Sequence, residues 1–323
     1  MIDKSKCSYK WHTQKRVFIL CFVFLIVLIT WSGVAYAQQR VDQRQADYLK
    51  YDKEPGRQKT GDSANKPPKP GAEQMDHLHK QANDLRNRFH QEVTHWGNAH
   101  QYHNRYNGVS YPLDYEYNQA QGFGADVDRA VDNAHSVSDY QAAIKLLTDN
   151  LTHLHAMEAD AADKTSWFHA HASDIRLIRY YHLAGTVVVV SFIEQVCRIY
   201  QDGKLIKAFQ VTTGNFDSPS PVGLWHIFLR QSPTVFRSSA PFGSHFWYPD
   251  TPINFAMEYH AGGYYLHDSW WRTDYGPGTN FPHYDPNGNR YAAEGSHGCI
   301  NMPYVDAAWM YANTRNGTVV ITY

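Results

Sequence analysis

The sequence predicts an α+β protein: a β-rich domain at the C-terminal end, preceded by a helical region. Apolar residues recur at alternating three- and four-residue steps from Met75 to Trp96 and again from Tyr140 to Leu154, the period of an amphipathic helix. From Gly185 onward the pattern becomes short β-branched or alternating runs separated by Gly and Pro turns. One helical pattern returns near the end, from Pro303, and Thr318 to Tyr323 then reads as a last strand.

Residues 1–37 carry a basic start with Lys4, Lys6, Lys10, Lys15 and Arg16, an unbroken apolar run from Val17 to Ile29, and the small-x-small triplet Ala35-Tyr36-Ala37. This is an export signal or an uncleaved N-terminal membrane anchor, and either places the rest of the chain outside the cytoplasm. Residues 38–74, with Lys66-Pro67-Pro68-Lys69-Pro70-Gly71, hold too little apolar surface to offset chain ordering and read as a flexible linker.

The helical region spans 75–172, with Met75, Leu78, Ala82, Leu85, Phe89, Val93 and Trp96 on one stripe and Tyr140, Ile144, Leu147, Leu151 and Leu154 on another. Ser138 with Gln141 reads as a capping box for the second helix, and 107–124 as a loop or broken helix. Many of the 19 histidines lie here, among them the pairs His77/His79, His153/His155 and His169/His171. Two-residue spacing puts a pair on different helix faces, so no metal site is expected and solvated polar faces are.

In the β-rich domain, 185–323, Val187 to Val190 suits a strand buried on both faces, and Asp202-Gly203 is a two-residue hairpin turn between Cys197–Gln201 and Lys204–Thr213. A turn at Pro219 to Gly223 leads into a strand through Trp225, Ile227 and Leu229. Cys197 reads as an apolar strand residue rather than as a disulfide partner of Cys299.

The chemistry is concentrated in Ser296-His297-Gly298-Cys299-Ile300-Asn301. A free thiol is only ~3% thiolate at pH 7, so reactivity calls for a neighbouring base, cation or helix N-terminus to lower its pKa, and this stretch offers all three. Gly298 leaves room for a substrate backbone, and N–H groups around Gly298 and Cys299 suit an oxyanion hole. The helix after Pro303 is expected to turn Val305, Ala308, Trp309 and Ala312 to one face.

Ser296 to Asn301 resembles the Ser/Thr-His-Gly-Cys signature of the L,D-transpeptidases, cysteine enzymes that cross-link bacterial peptidoglycan. Tyr264-Tyr265-Leu266-His267 resembles the strand ending in that family's catalytic histidine, and Ser220-Pro221-Val222-Gly223-Leu224-Trp225 its Thr-Pro-x-Gly-x-Phe segment. The resemblance covers roughly Gly185 to the C-terminus. It implies Cys299 as nucleophile and His267 as base, with His283 as the rival because 28 residues separate His267 from Ser296, more than the family usually has. His297 is expected to stabilise the thiolate or the oxyanion, Ser296 and Asn301 to hold the loop or touch substrate, and Asp268 to orient a neighbour. The extra residues from Trp270 to Glu294 read as a lid that excludes water.

The resemblance further implies ping-pong acyl transfer from a peptidoglycan tetrapeptide stem, without metal or organic cofactor, and acylation by carbapenem-type inhibitors. Water as acceptor would make the same site a carboxypeptidase, and a non-catalytic wall-binding protein is the competing class. A net charge of −1 argues against bulk nucleic-acid binding.

Overall fold

The computed structural model of the protein describes residues 70–244 and 246–323. The leader at 1–37 and the linker through residue 69 lie outside the described residues. Among the described residues, no helix is long and apolar enough to cross a membrane.

Helix α1 runs Pro70–Ala99, and its predicted stripe is the one that packs: Ala82, Phe89 and Val93 are buried. A proline as first helical residue fits the start, because its missing N–H would have had no partner there. The stretch 107–124, read as a loop or broken helix, holds strand β2 (Ser110–Pro112), which forms a hairpin with β1 (Gln101–His103) just before it, and a 3₁₀ turn over Tyr115–Tyr117; helix α2 (Gly124–Asp132) follows. Helix α3 spans Val137–Ala162 and buries Leu147, Leu151 and Leu154. Its cap is Ser136 rather than Ser138: the Asp139 N–H donates to Ser136 Oγ, and the Asp139 carboxylate accepts from the His135 N–H. A further short helix, α4 (Ala172–Tyr180), extends the helical region beyond its expected boundary at 172.

The β-rich domain holds two main sheets. In the first, β3 (Thr186–Ser191), β4 (Val196–Gln201), β5 (Lys204–Gln210), β6 (Gly223–His226) and β13 (Val319–Thr322) are ordered β5-β4-β3-β13-β6. Val187 to Val190 are fully buried, as a β-branched run covered on both faces requires. Asp202 and Gly203 both take positive φ, 49° and 76°, the geometry of a tight hairpin turn. In the second sheet, β7 (Leu229–Gln231), β10 (Ala256–His260), β11 (Tyr264–Asp268) and β12 (Ile300–Met302) are ordered β12-β11-β10-β7, with β11 and β12 parallel. The run through Trp225 and Leu229 is therefore two strands, one in each sheet. A small pair, β8 (Thr234–Phe236) with β9 (Thr251–Ile253), stands apart.

Helix α5 covers Tyr304–Asn313 and buries Ala307 and Met310; Val305 and Ala312 face solvent, so the inward face differs from the expected one.

Helices and sheets share one apolar core, in which Phe89, Leu147 and Leu154 join Val188, Ile199 and Ile321. Polar contacts cross the same boundary, against the expectation of solvated histidines. His153 is fully buried, with Nδ1 donating to the Thr322 carbonyl at 2.9 Å and Nε2 2.7 Å from Tyr181 Oη. His171 Nδ1 lies 2.8 Å from Asp160, and buried Arg198 pairs with Asp174 at 2.5 Å and with Glu194. A buried charge persists only when paired and hydrogen-bonded. Arg198 meets that condition by joining β4 to α4.

Candidate active site

Parallel pairing of β11 with β12 sets Leu266 opposite Ile300 and His267 opposite Asn301. The register continues to Cys299, which precedes β12 and reaches the Tyr265 backbone: the Tyr265 N–H donates to Sγ at 3.4 Å, and the thiol lies 3.6 Å from the Gly263 carbonyl. His267 stands two residues beyond Tyr265, on the same face of the strand. The Phe236 ring touches both, at 4.7 Å from the Tyr265 ring and 5.1 Å from that of His267.

His267 is buried, and its Nδ1 donates to the Asp268 backbone carbonyl at 2.8 Å. That bond fixes the tautomer and leaves the Nε2 lone pair available as an acceptor. Burial pulls the imidazole down to about 4, against the raising effect of the Asp268 carbonyl. Burial likewise pushes the Cys299 thiol up to about 12; the Tyr265 N–H opposes this and Glu258 adds to it. The sequence-based expectation of a lowered thiol pKa is thus reversed. One reason is that the helix follows β12 rather than Cys299 itself, so no helix N-terminus reaches the sulfur. At neutral pH the thiol and the imidazole therefore both rest uncharged.

The loop leading to Cys299 is held on both sides. The Ser296 N–H donates to the Thr213 carbonyl and the Asn215 N–H to the Ser296 carbonyl, each at 2.9 Å, while the Ser296 hydroxyl donates to the Cys299 carbonyl. Asn301 exchanges backbone bonds with Thr212 at 2.8 and 3.0 Å, and its side chain is buried with Oδ1 unpaired. Gly298 has φ of 101°, and a Cβ there would lie 2.5 Å from the Tyr264 ring. Only glycine fits that backbone and that space. The Ser220 hydroxyl donates to the Gly298 carbonyl at 2.8 Å.

His297 lies half-buried, 5.9 Å from the Tyr248 ring and 6.2 Å from that of Phe246. Both aromatics belong to the segment between β8 and β9, which sequence reasoning passed over. Its signal was present in the cluster Phe242, Phe246, Trp247 and Tyr248 among Ser, Gly and Pro. Burial pushes the Tyr248 phenol up to about 12, with the Cys299 charge adding to it.

The other candidates point elsewhere. The Asp268 carboxylate accepts from the N–H groups of Asn254 and Phe255 and from Asn254 Nδ2, so it fixes the turn before β10, and only its backbone carbonyl serves His267. His283 pairs with Asp274 at 2.8 Å and places Nδ1 on the Phe281 carbonyl, bonds internal to the insertion. The insertion itself is tied by Arg272, whose guanidinium donates to the carbonyls of Tyr291, Ala292 and Glu294. It touches the site through Trp271, 5.9 Å from the His267 ring, while Phe281 packs on Tyr102, Tyr111 and Tyr115 of the helical region.

No curated protein matches the chain. The solved structures similar to it include an Enterococcus faecium L,D-transpeptidase mutant (23% identity, 44% of this chain and 50% of that one, TM-score 0.36). They also include an L,D-transpeptidase from Mycobacterium smegmatis (21%, 43% and 59%, 0.35). A third is the catalytic domain of the E. faecium enzyme acylated by ertapenem (24%, 44% and 99%, 0.35). The match thus spans between half and three fifths of the two longer relatives. Residues 185–322 match the model of the YkuD family, the L,D-transpeptidase catalytic domain. The β-rich part of this chain, which carries Cys299 and His267, is thus similar over residues 185–322 to the L,D-transpeptidase catalytic domain.

Proposed function

We propose that this chain is an exported peptidoglycan L,D-transpeptidase in which Cys299 is the nucleophile and His267 the base. The observation that carries the reading is the pairing of β11 with β12. It supports the reading because the strand that follows Cys299 runs beside the strand that carries His267, with the thiol held by the Tyr265 N–H and the Nδ1 proton of His267 committed to a carbonyl.

In this mechanism the Cys299 thiol gives its proton to His267 Nε2 as sulfur attacks the carbonyl of the third stem residue. The S–C bond forms, and the developing oxyanion meets the Cys299 N–H. Because both groups rest in their neutral forms, proton transfer accompanies attack rather than preceding it. The imidazolium then protonates the departing D-alanine nitrogen as the C–N bond breaks, leaving a thioester. An amine of a neighbouring stem attacks the thioester and gives its proton to His267. The S–C bond breaks and the thiol is restored. Ser296 and Asn301 hold the loop, and His297 faces the aromatic segment over the site. Localisation outside the cytoplasm rests on the leader, and contact with the membrane on its remaining uncleaved.

The test is mass spectrometry of the protein incubated with a disaccharide-tetrapeptide, comparing wild type with Cys299→Ala and His267→Ala. A cross-linked dimer made by wild type alone supports the reading. Tripeptide without dimer makes the enzyme a carboxypeptidase; retained activity in His267→Ala moves the base to His283; no turnover favours a wall-binding protein.

A further inference from the structure

The hydrogen bonds that hold the Cys299 loop continue out of the catalytic domain. The carbonyl of Gly298 and the N–H of Cys299 belong to one trans peptide, so fixing the carbonyl fixes the direction of the N–H. Ser220 Oγ donates to that carbonyl and accepts from the Gly214 N–H at 2.9 Å. The next peptide, between Gly214 and Asn215, is held the same way: its N–H donates to the Ser296 carbonyl, and its carbonyl accepts from the Tyr115 hydroxyl at 2.6 Å. Tyr115 Oη in turn accepts from Asn280 Nδ2 at 3.0 Å. Asn280 lies in the insertion between His267 and Cys299, and Tyr115 on the 3₁₀ turn of the helical region.

One buried hydroxyl thus donates to one and accepts from the other of the two segments that flank the nucleophile loop. Tyr115 is 1% exposed, its ring packed on Phe216 and Phe281 at 5.6 and 5.8 Å, so it has no freedom to choose other partners. Gly214 has no space to spare either: a Cβ there would fall 2.2 Å from the Ser218 carbonyl oxygen. Peptides in such a chain polarise one another and leave few alternative arrangements.

We infer that Tyr115 is a positioning residue for the reaction. Through Gly214 and Ser220 it sets the peptide that presents the Cys299 N–H, so the helical region is a working part of the active site. The inference rests on the transpeptidase reading for its chemistry, but its geometry can be tested separately.

The experiment uses the full chain and its Tyr115→Phe variant, which keeps the ring and removes the hydroxyl. Two readouts are taken: amide hydrogen exchange of peptides covering 213–216 and 295–301, and the rate of Cys299 acylation by ertapenem, each compared with Asn104→Ala. Asn104 Nδ2 ties the same region to the Pro282 carbonyl at 2.7 Å without touching Gly214. Tyr115→Phe is expected to speed exchange in those two peptides and slow acylation by about tenfold, the weight of one buried hydrogen bond left unmade. Asn104→Ala is expected to stay within about twofold of wild type. Ser220→Ala, which cuts the following link, should reproduce the Tyr115→Phe pattern and decides the matter if that variant does not fold. The inference is overturned if both rates in Tyr115→Phe match wild type, if exchange accelerates equally throughout α3 and the sheets, or if Asn104→Ala loses as much. Should wild type resist acylation while the exchange change stays local, the positioning role stands and the transpeptidase reading falls.

Discussion

Glu116 lies beside Tyr115 on the 3₁₀ turn, fully buried, with neither carboxylate oxygen hydrogen-bonded. Burial is the main reason its pKa is raised from 4.5 to about 8, with Asp114 adding repulsion and the Glu116 backbone and Tyr115 opposing it. A carboxyl whose folded value lies above its unfolded value binds more protons in the folded state. Its contribution to stability is complete below pH 4.5 and is lost as pH rises toward 8. Each pH unit across that window is worth about 1.4 kcal/mol, so the folded protein gives up about 3 kcal/mol by pH 7 and about 5 kcal/mol above pH 8.

Glu116→Gln keeps the shape of the protonated acid and cannot ionise. Relative to wild type it should gain nothing near pH 4.5, about 3 kcal/mol at pH 7 and about 5 kcal/mol at pH 8.5, with opposite drift in neither direction beyond that window. Urea denaturation of both proteins at these pH values measures the difference directly. Asp114, pushed up to about 7 chiefly by burial, titrates in both proteins, and the variant loses only its repulsion with Glu116. A stability difference that does not change with pH would refute the argument, because it would mean that Glu116 has the same proton affinity folded and unfolded.

Other consequences concern the site. With His267 held near 4, acylation of Cys299 should stay constant from neutral pH down to about 5 and fall only as the imidazole gains its proton near 4; an inflection near 6.5 in the rate profile would contradict this. His267→Ala should slow acylation by about a hundredfold or more, while His283→Ala, which breaks only the Asp274 contact and the Phe281 bond, should change it by less than about threefold in the same assay. Gly298→Ala forces a side chain into a φ of 101° and onto Tyr264, at a cost of about 1–3 kcal/mol in backbone strain alone; stopped-flow acylation should drop at least about tenfold.

Local patterns were the most legible part of the sequence. The valine run of β3, the Asp202-Gly203 turn and the stripe of α1 each follow from side-chain period or backbone preference within a few residues. What escaped depended on partners remote in sequence. Ser136 and Ser138 are equal as caps until the backbone direction selects one. His153 and His171 look like surface residues until Thr322 and Asp160 are placed against them. The thiol of Cys299 reads as activated by its neighbours in sequence, yet its proton affinity is governed by burial against β11. Asp268 shows the same limit within two residues: strand alternation turns its carboxylate to Asn254 while its carbonyl faces His267. The segment between β8 and β9 was overlooked because its aromatic residues carry no periodic signal, and only the fold brings Tyr248 beside His297.

Arg272 closes the insertion at its base by gathering three carbonyls from 291 to 294, and Phe281 anchors its first half on the helical region. In the tip from Tyr284 to Arg290, Tyr284 is 72% exposed, whereas Asp285 is buried and Asn289 Nδ2 donates to the Trp271 carbonyl. Doubling the length of such a loop adds only about 0.6 kcal/mol of closure cost. Evolution or an engineer can therefore rewrite the exposed turn at 286–288, in length and in chemistry, so long as Asp285 and Asn289 keep their places on either side of it. That turn becomes a place for variation, and the Asn289 bond with the guanidinium at the base of the insertion keeps that variation from reaching the site.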